Sequence, residues 1–124
     1  VVHGAGGVDE LSLGGENKTA YLKEGDVKEY NFNAKDAGLD PAPLESILGG
    51  KPEENKQITL NILKGKKGPK RDVILLNSAA AFLVENKVDT LQEGVKLAAE
   101  LIDSGKAMQK LEELIECSNS LAVS

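Results

Sequence analysis

The sequence predicts an α/β domain in which a small sheet with a β-hairpin at about residues 19–33 is followed by four to five helices. Three observations carry this expectation. Two extended runs, Thr19–Glu24 and Val27–Asn33, flank Gly25-Asp26, a pair suited to a two-residue turn with glycine at its first central position. Pro52, followed by Glu53 and Glu54, reads as a helix start, with proline where no N–H is needed and acids near the positive end of the dipole. Thr90-x-x-Glu93 is a capping box ahead of a long apolar stripe.

Taken in order, Val1–Ser12 (VVHGAGGVDELS) runs from a short apolar strand through glycines to two adjacent acids, Asp9 and Glu10. It opens inside a strand and without an initiator Met, so the expectation is a processed chain or an excised piece of a longer one. Leu13–Lys18 has loop composition. In the second hairpin strand Lys28, Tyr30 and Phe32 share a face, which is expected to pack inward. Ala34–Pro43 reads as irregular, and Asp40 is expected to cap a short helix opened by Pro41, running to Leu48 and stopped by Gly49-Gly50. The helix from Pro52 carries Ile58, Ile62 and Leu63 at helical spacing with Asn55 and ends at Gly65.

Lys64–Arg71 (KGKKGPKR) is the most basic stretch. It could hold a phosphate or imitate a nucleic-acid patch. Its glycines and proline make it a loop, and such loops are commonly charged for solubility, so a solvated loop is expected. Asp72–Glu85 is apolar nearly all round and predicts a central, buried helix. Its small residues Ser78–Ala81 permit close approach of a neighbour, and Asn77 inside it needs a hydrogen-bond partner if buried. Leu91, Val95, Ala98 and Ile102 form one face of the next helix, closed by Gly105. Met108, Leu111 and Ile115, with Leu114 beside them, give the last helix its stripe, with Met as core filler and Ser118–Ser124 frayed.

Composition narrows the function. The 124 residues make one domain's worth of chain, read as a single unit over 1–124, with enough length for a real core. A net charge of −5 argues against non-specific binding to nucleic acid or anionic membrane. Two Tyr, two Phe and no Trp do not furnish a base-stacking surface. One cysteine, Cys117, excludes an internal disulfide and fits a reducing cytoplasm; with the lone His3 it argues against an all-protein zinc site. No apolar run approaches the ~20 residues of a membrane-spanning helix.

Several motifs stop short. Gly4-Ala5-Gly6-Gly7 does not complete G-x-G-x-x-G, Gly105-Lys106 lacks the rest of a P-loop, and Cys117 has no second histidine to activate it. What remains is Asp9-Glu10. Paired acids where a strand gives way to a loop suit a hard cation such as Mg²⁺, which is commonly held by one or two carboxylates plus water and substrate phosphates. Adjacent acids on a surface turn are more often simply solvated.

A series of segments goes further: Val2-His3-Gly4 leading to Gly7-Val8-Asp9-Glu10-Leu11-Ser12, Gly49-Gly50 with Glu54-Asn55, and Ile62-Leu63-Lys64-Gly65. Arg71-Asp72, Leu75-Leu76-Asn77-Ser78-Ala79-Ala80-Ala81 and Ser104-Gly105-Lys106-Ala107 continue it. No one motif is specific, but in order and spacing the series resembles the carboxyl-terminal portion of the anthranilate phosphoribosyltransferase family, over nearly the whole chain. One departure is Gly6, where members often carry an acid two residues after the His-Gly.

The resemblance implies part of a phosphoribosyltransferase catalytic domain, from an enzyme of tryptophan biosynthesis. That enzyme transfers phosphoribosyl from phosphoribosyl diphosphate to anthranilate and releases pyrophosphate. It implies Mg²⁺ as cofactor, held at the positions of Asp9 and Glu10, with no catalytic side chain among these residues and the substrate-binding residues upstream of residue 1. It implies an enzyme that dimerises through an amino-terminal helical domain also upstream, so the stretch alone is expected to be inactive and to self-associate through an open sheet edge at Val1–Gly4. Two alternatives stand beside it: a non-catalytic interaction domain, and a fragment of a related nucleoside phosphorylase-like glycosyltransferase. A nucleic-acid binder resting on Lys64–Arg71 is disfavoured by the charge and the aromatic count.

Overall fold

The computed structural model describes residues 1–122. A three-stranded antiparallel sheet comes first, β1 (Val2–His3), β2 (Asn17–Lys23) and β3 (Asp26–Phe32), in that spatial order. Four helices follow: α1 (Pro52–Leu63), α2 (Pro69–Val84), α3 (Leu91–Asp103) and α4 (Lys106–Leu121). The expected architecture of a small sheet, a hairpin and four helices is what the chain adopts.

The hairpin turn sits one residue earlier than expected. Lys23 pairs with Asp26, so the turn residues are Glu24 and Gly25, both with positive φ (53° and 88°). That conformation matches the right-handed twist of the strands and needs left-handed backbone at both central positions. Glycine therefore occupies the second central position, and Glu24 takes the first despite its side chain. The aromatic face packs inward only at its end: Phe32 joins the core, while Tyr30 is 42% exposed.

The segment after the sheet differs more. No α-helix runs from Pro41 to Leu48; a 3-10 turn forms over Leu44–Ile47 instead. Asp40 and Ala42 each precede a proline, whose ring disfavours the helical region for the residue before it. Within the stretch expected to be irregular, Ala34–Ala37 forms a second 3-10 turn, capped reciprocally by Asn33 and Asp36. Leu13–Lys18 is loop as expected only through Glu16, because β2 begins at Asn17; Leu13 and Asn17 are both buried.

α2 is the centre of the helical layer. Its Val73 and Leu76 join Leu11, Leu13, Ala34 and Ala37 in one core cluster, and its Leu75 joins Ile62, Ala98 and Ile102 in another. The helix is not buried all round, because Ile74 and Val84 are exposed. Its small residues do allow close approach: a Cβ on Gly94 of α3 would lie 2.7 Å from both Cα and Cβ of Ala79. α2 also starts earlier than expected, at Pro69, which carries Arg71 out of the basic loop and into the interior. There Arg71 is 4% exposed and forms a bidentate pair with Asp103 at the end of α3 (2.8 and 2.9 Å). The solvated-loop expectation holds for Lys64, Lys66 and Lys67 and fails for Arg71 and for Lys70, which is half-buried in α2 and donates to Leu48 C=O.

α4 stays helical to Leu121, past the expected fray at Ser118; Val123 and Ser124 lie outside the described residues. Its stripe is not core. Met108 and Leu111 are half-buried, whereas Leu114 and Ile115 are exposed, because the described chain lays only the first part of α4 against its neighbours.

Candidate metal centre

The candidate site is the loop that carries the chain from β1 to the buried segment Leu11–Leu13. Gly4 accepts a hydrogen bond from Gly7 N–H and donates one to Val8 C=O, both 3.0 Å, which closes a tight turn. Gly6 and Gly7 inside it have φ near +85° and +81°, a region that L side chains seldom occupy. A side chain at Gly6, an acid included, would be strained in this backbone. The chain then reverses through Asp9 and Glu10 and enters the core at Leu11.

What fixes the entry is a pair of asparagine side chains. Asn77 of α2 accepts from Leu11 N–H (2.9 Å) and donates to both Leu11 C=O and Val73 C=O (2.9 Å each). Asn17 of β2 accepts from Ser12 N–H (2.7 Å) and donates to Ser12 C=O (3.0 Å) and to Phe32 C=O (3.3 Å). Buried backbone must find partners, and among the described residues Leu11–Leu13 pairs with no strand that would supply them. The two carboxamides do so instead, each matching a backbone N–H and C=O as a neighbouring strand would. Asn77 is thus the structural hydrogen-bonding group expected inside an apolar helix. Asn17 was not legible, since its loop-like neighbourhood Gly14-Gly15-Glu16 masks a buried polar role.

Asp9 and Glu10 are both exposed, and neither carboxylate enters a hydrogen bond or ion pair among the described residues. No group of three or more His, Cys, Asp or Glu gathers into a metal-binding set among the described residues. Such a donor set does not make a closed protein cage of the zinc type. It does fit Mg²⁺, which takes oxygen ligands, tolerates two protein carboxylates and completes its octahedron with water and phosphate oxygens. The remaining sequence candidates lie elsewhere. Lys66, Lys67 and Lys70 border a cavity of about 240 Å³ between the α1–α2 loop and α1, and Cys117 is free and exposed on α4.

Electrostatics at the other end of α2 are structural. Its hydrogen bonds to Asp103 raise the Arg71 pKa, and the same bonds hold the Asp103 carboxyl below its ordinary range. Burial lifts Asp72, against the pull of neighbouring Arg71.

Residues 1–108 match the family described as glycosyl transferase family, a/b domain. An anthranilate phosphoribosyltransferase of Petrotoga mobilis is 52% identical over 99% of this chain and 36% of its own length. Its counterpart from Methanobrevibacter smithii is 45% identical over 96% of the chain and 36% of its own length. Among solved structures, anthranilate phosphoribosyltransferase from Thermus thermophilus superposes with a TM-score of 0.82 at 43% identity, covering 91% of this chain and 33% of that one. The Saccharomyces cerevisiae enzyme in complex with PRPP and Mg superposes with a TM-score of 0.86 at 28% identity, covering 96% and 34%. The 124 residues therefore span about a third of the length of the relatives they match.

Proposed function

From the premise that the chain belongs to the glycosyl transferase family as its a/b domain, we propose that it supplies the metal-binding loop of an anthranilate phosphoribosyltransferase. The whole enzyme would transfer phosphoribosyl from phosphoribosyl diphosphate to anthranilate, releasing pyrophosphate, in the cytoplasm and as a step of tryptophan biosynthesis. The observation that carries the reading is the Asp9-Glu10 pair: two exposed, unengaged carboxylates on a backbone fixed immediately downstream by Asn77 and Asn17.

In such a transfer the substrate's own amine attacks the ribose anomeric carbon as the bond to pyrophosphate breaks, and the amine then gives up a proton. No nucleophilic side chain is needed, so positioning and electrostatics carry most of the rate. Mg²⁺, when bound, neutralises charge that develops on the pyrophosphate oxygens. Asp9 and Glu10 would hold that cation, with the glycine turn before them and the two asparagines fixing the backbone at Leu11 and Ser12 just after them. In the full-length enzyme, Asp9→Asn with Glu10→Gln should lower kcat by about 10²–10³, the scale of losing one such electrostatic group, with the circular-dichroism spectrum retained. Unchanged turnover with unchanged Mg²⁺ dependence would refute the assignment.

The 124 residues span 36% of the length of a relative, and we expect no turnover from them alone. Formation of phosphoribosyl anthranilate by this stretch would overturn that. β1 has one strand neighbour, β2, and β3 likewise has one. An open strand edge is a template for pairing, so the isolated stretch should self-associate through β1, whereas the whole enzyme is expected to be a homodimer. A monomeric mass by light scattering, at concentrations where β1 amides exchange freely with solvent, would count against edge pairing.

A further inference from the structure

We infer that Asn77 is a positioning residue for the Asp9-Glu10 pair, acting on it through the peptide unit that joins Glu10 to Leu11. The inference rests on reading that pair as the cation site. A peptide unit is rigid and planar, so holding both of its edges fixes the direction in which the chain leaves Glu10. The N–H edge of the Glu10–Leu11 unit is held by Asn77 Oδ1 at 2.9 Å. Its C=O edge lies against the backbone of Gly4, so closely that a Cβ there would collide with the Glu10 carbonyl oxygen and would sit 2.6 Å from Val8 Cγ2. The next unit is held in the same way, with Leu11 C=O accepting from Asn77 Nδ2 (2.9 Å) and Ser12 N–H donating to Asn17 Oδ1 (2.7 Å).

Two consecutive peptides are thus gripped by Asn77 of α2 and Asn17 of β2 and backed by Gly4, just after β1, at the point where the acids end. The third bond of Asn77, to Val73 C=O in its own helix (2.9 Å), removes the freedom of its carboxamide to turn. The grip comes from a side chain and not from a neighbouring strand. A strand beside Leu11 would continue past it and cover the acids, whereas a carboxamide stops at one residue and leaves Asp9 and Glu10 exposed. Ligand-orienting groups of this kind, behind the ligands and not touching the ion, commonly contribute a large share of metal affinity.

Mn²⁺ alone is the probe, titrated into the full-length enzyme and followed by the electron paramagnetic resonance signal of the free ion. Asn77→Leu keeps the heavy-atom count and branching of the side chain and removes all three hydrogen bonds; Asn77→Ala removes the branched end as well. Each should weaken Mn²⁺ binding about tenfold or more, the usual effect of losing an orienting group, at temperatures where the variant keeps the native circular-dichroism spectrum. Ile102→Ala, in the core cluster away from the loop, is the control: it should lower Tm and leave Mn²⁺ affinity unchanged. Native affinity in either Asn77 variant, or an equal loss in Ile102→Ala, overturns the positioning role. Asp9→Asn with Glu10→Gln separates the two claims. If that double variant binds Mn²⁺ like the native protein, the cation site itself is wrong. If it abolishes binding while Asn77→Leu does not, the site stands and the role of Asn77 falls. Should both Asn77 variants fail to fold, hydrogen exchange in the native protein decides. The Leu11 and Ser12 amides should be protected to the level of α2 core amides, and rapid exchange at Leu11 would overturn the grip.

Discussion

Gly94→Ala tests the packing that places α2, and with it Asn77, under the candidate site. Two effects oppose each other. Within α3, alanine is the better helix former by about 1 kcal/mol, which alone would stabilise the variant. Against this, the added Cβ would stand 2.7 Å from Cα and Cβ of Ala79 and 3.0 Å from its carbonyl oxygen. Carbon atoms in contact rest about 3.5–4.0 Å apart, so α3 must retreat from α2 by most of an ångström. Two of the three blocking atoms are backbone and cannot rotate aside. Overpacking costs about 1–3 kcal/mol in general, and a backbone obstacle puts this site at the top of that range. The net loss is then about 2 kcal/mol. For a domain of this size it corresponds to a Tm lower by about 6–12 °C, read by thermal melting in circular dichroism. Adding Ala79→Gly should restore only part of the loss, because it removes one of the three blocking atoms. A Gly94→Ala variant as stable as the native protein, or more so, would refute the reasoning by showing that propensity outweighs the collision.

The Arg71–Asp103 pair gives a pH dependence whose sign is set by the carboxylate. The Asp103 pKa is depressed by Arg71 in the folded state, so its contribution is complete above the ordinary aspartate value of about 3.9 and is lost as pH falls through the lower folded value. The Tm gap between native protein and Asp103→Asn should therefore be steady from pH 7 to about 5 and shrink on further acidification; a gap that stays constant to pH 3 would exclude the linkage. The hairpin offers a stabilising change. Glu24 sits at φ 53°, where a non-glycine residue costs roughly 1–2 kcal/mol and asparagine less, so Glu24→Asn should gain about 0.5–1 kcal/mol. A lower Tm in that variant would mean that the turn is not the one described.

The helices were legible where local chemistry alone decides them. Pro52 with Glu54, whose carboxylate accepts from Lys51 N–H at 2.7 Å, and the reciprocal cap between Thr90 and Glu93 each set a helix start with groups three residues apart. Where two local signals compete, the order of the outcome is not visible in spacing. Gly25-Asp26 and Glu24-Gly25 both contain the glycine a tight turn needs, and the choice fell to the register that pairs Asn17 with Phe32 across the whole hairpin. Arg71 was hidden for a different reason. A sequence shows a cation in a basic run, but its carboxylate partner, Asp103, lies 32 residues away at the end of another helix.

The candidate site divides along the same line. Asp9 and Glu10 were visible because they are adjacent and follow a glycine turn, and the fold leaves them as free as a cation site requires. Nothing in that stretch shows that the backbone just after the two acids is held in place. The answer lies 66 residues away for Asn77 and on the opposite flank for Asn17. Each was a lone polar residue with an ordinary explanation, the first in an apolar helix and the second in a loop. Only their convergence on consecutive peptides, with Gly4 closing the third side, distinguishes a gripped loop from a solvated one. A pair of acids held this way loses less conformational freedom when a cation arrives than the same acids on a loose turn, so part of the ordering cost of binding is met when the protein folds. On the proposed reading, the property that would make the dipeptide a cation site is therefore carried by residues that would not touch the ion.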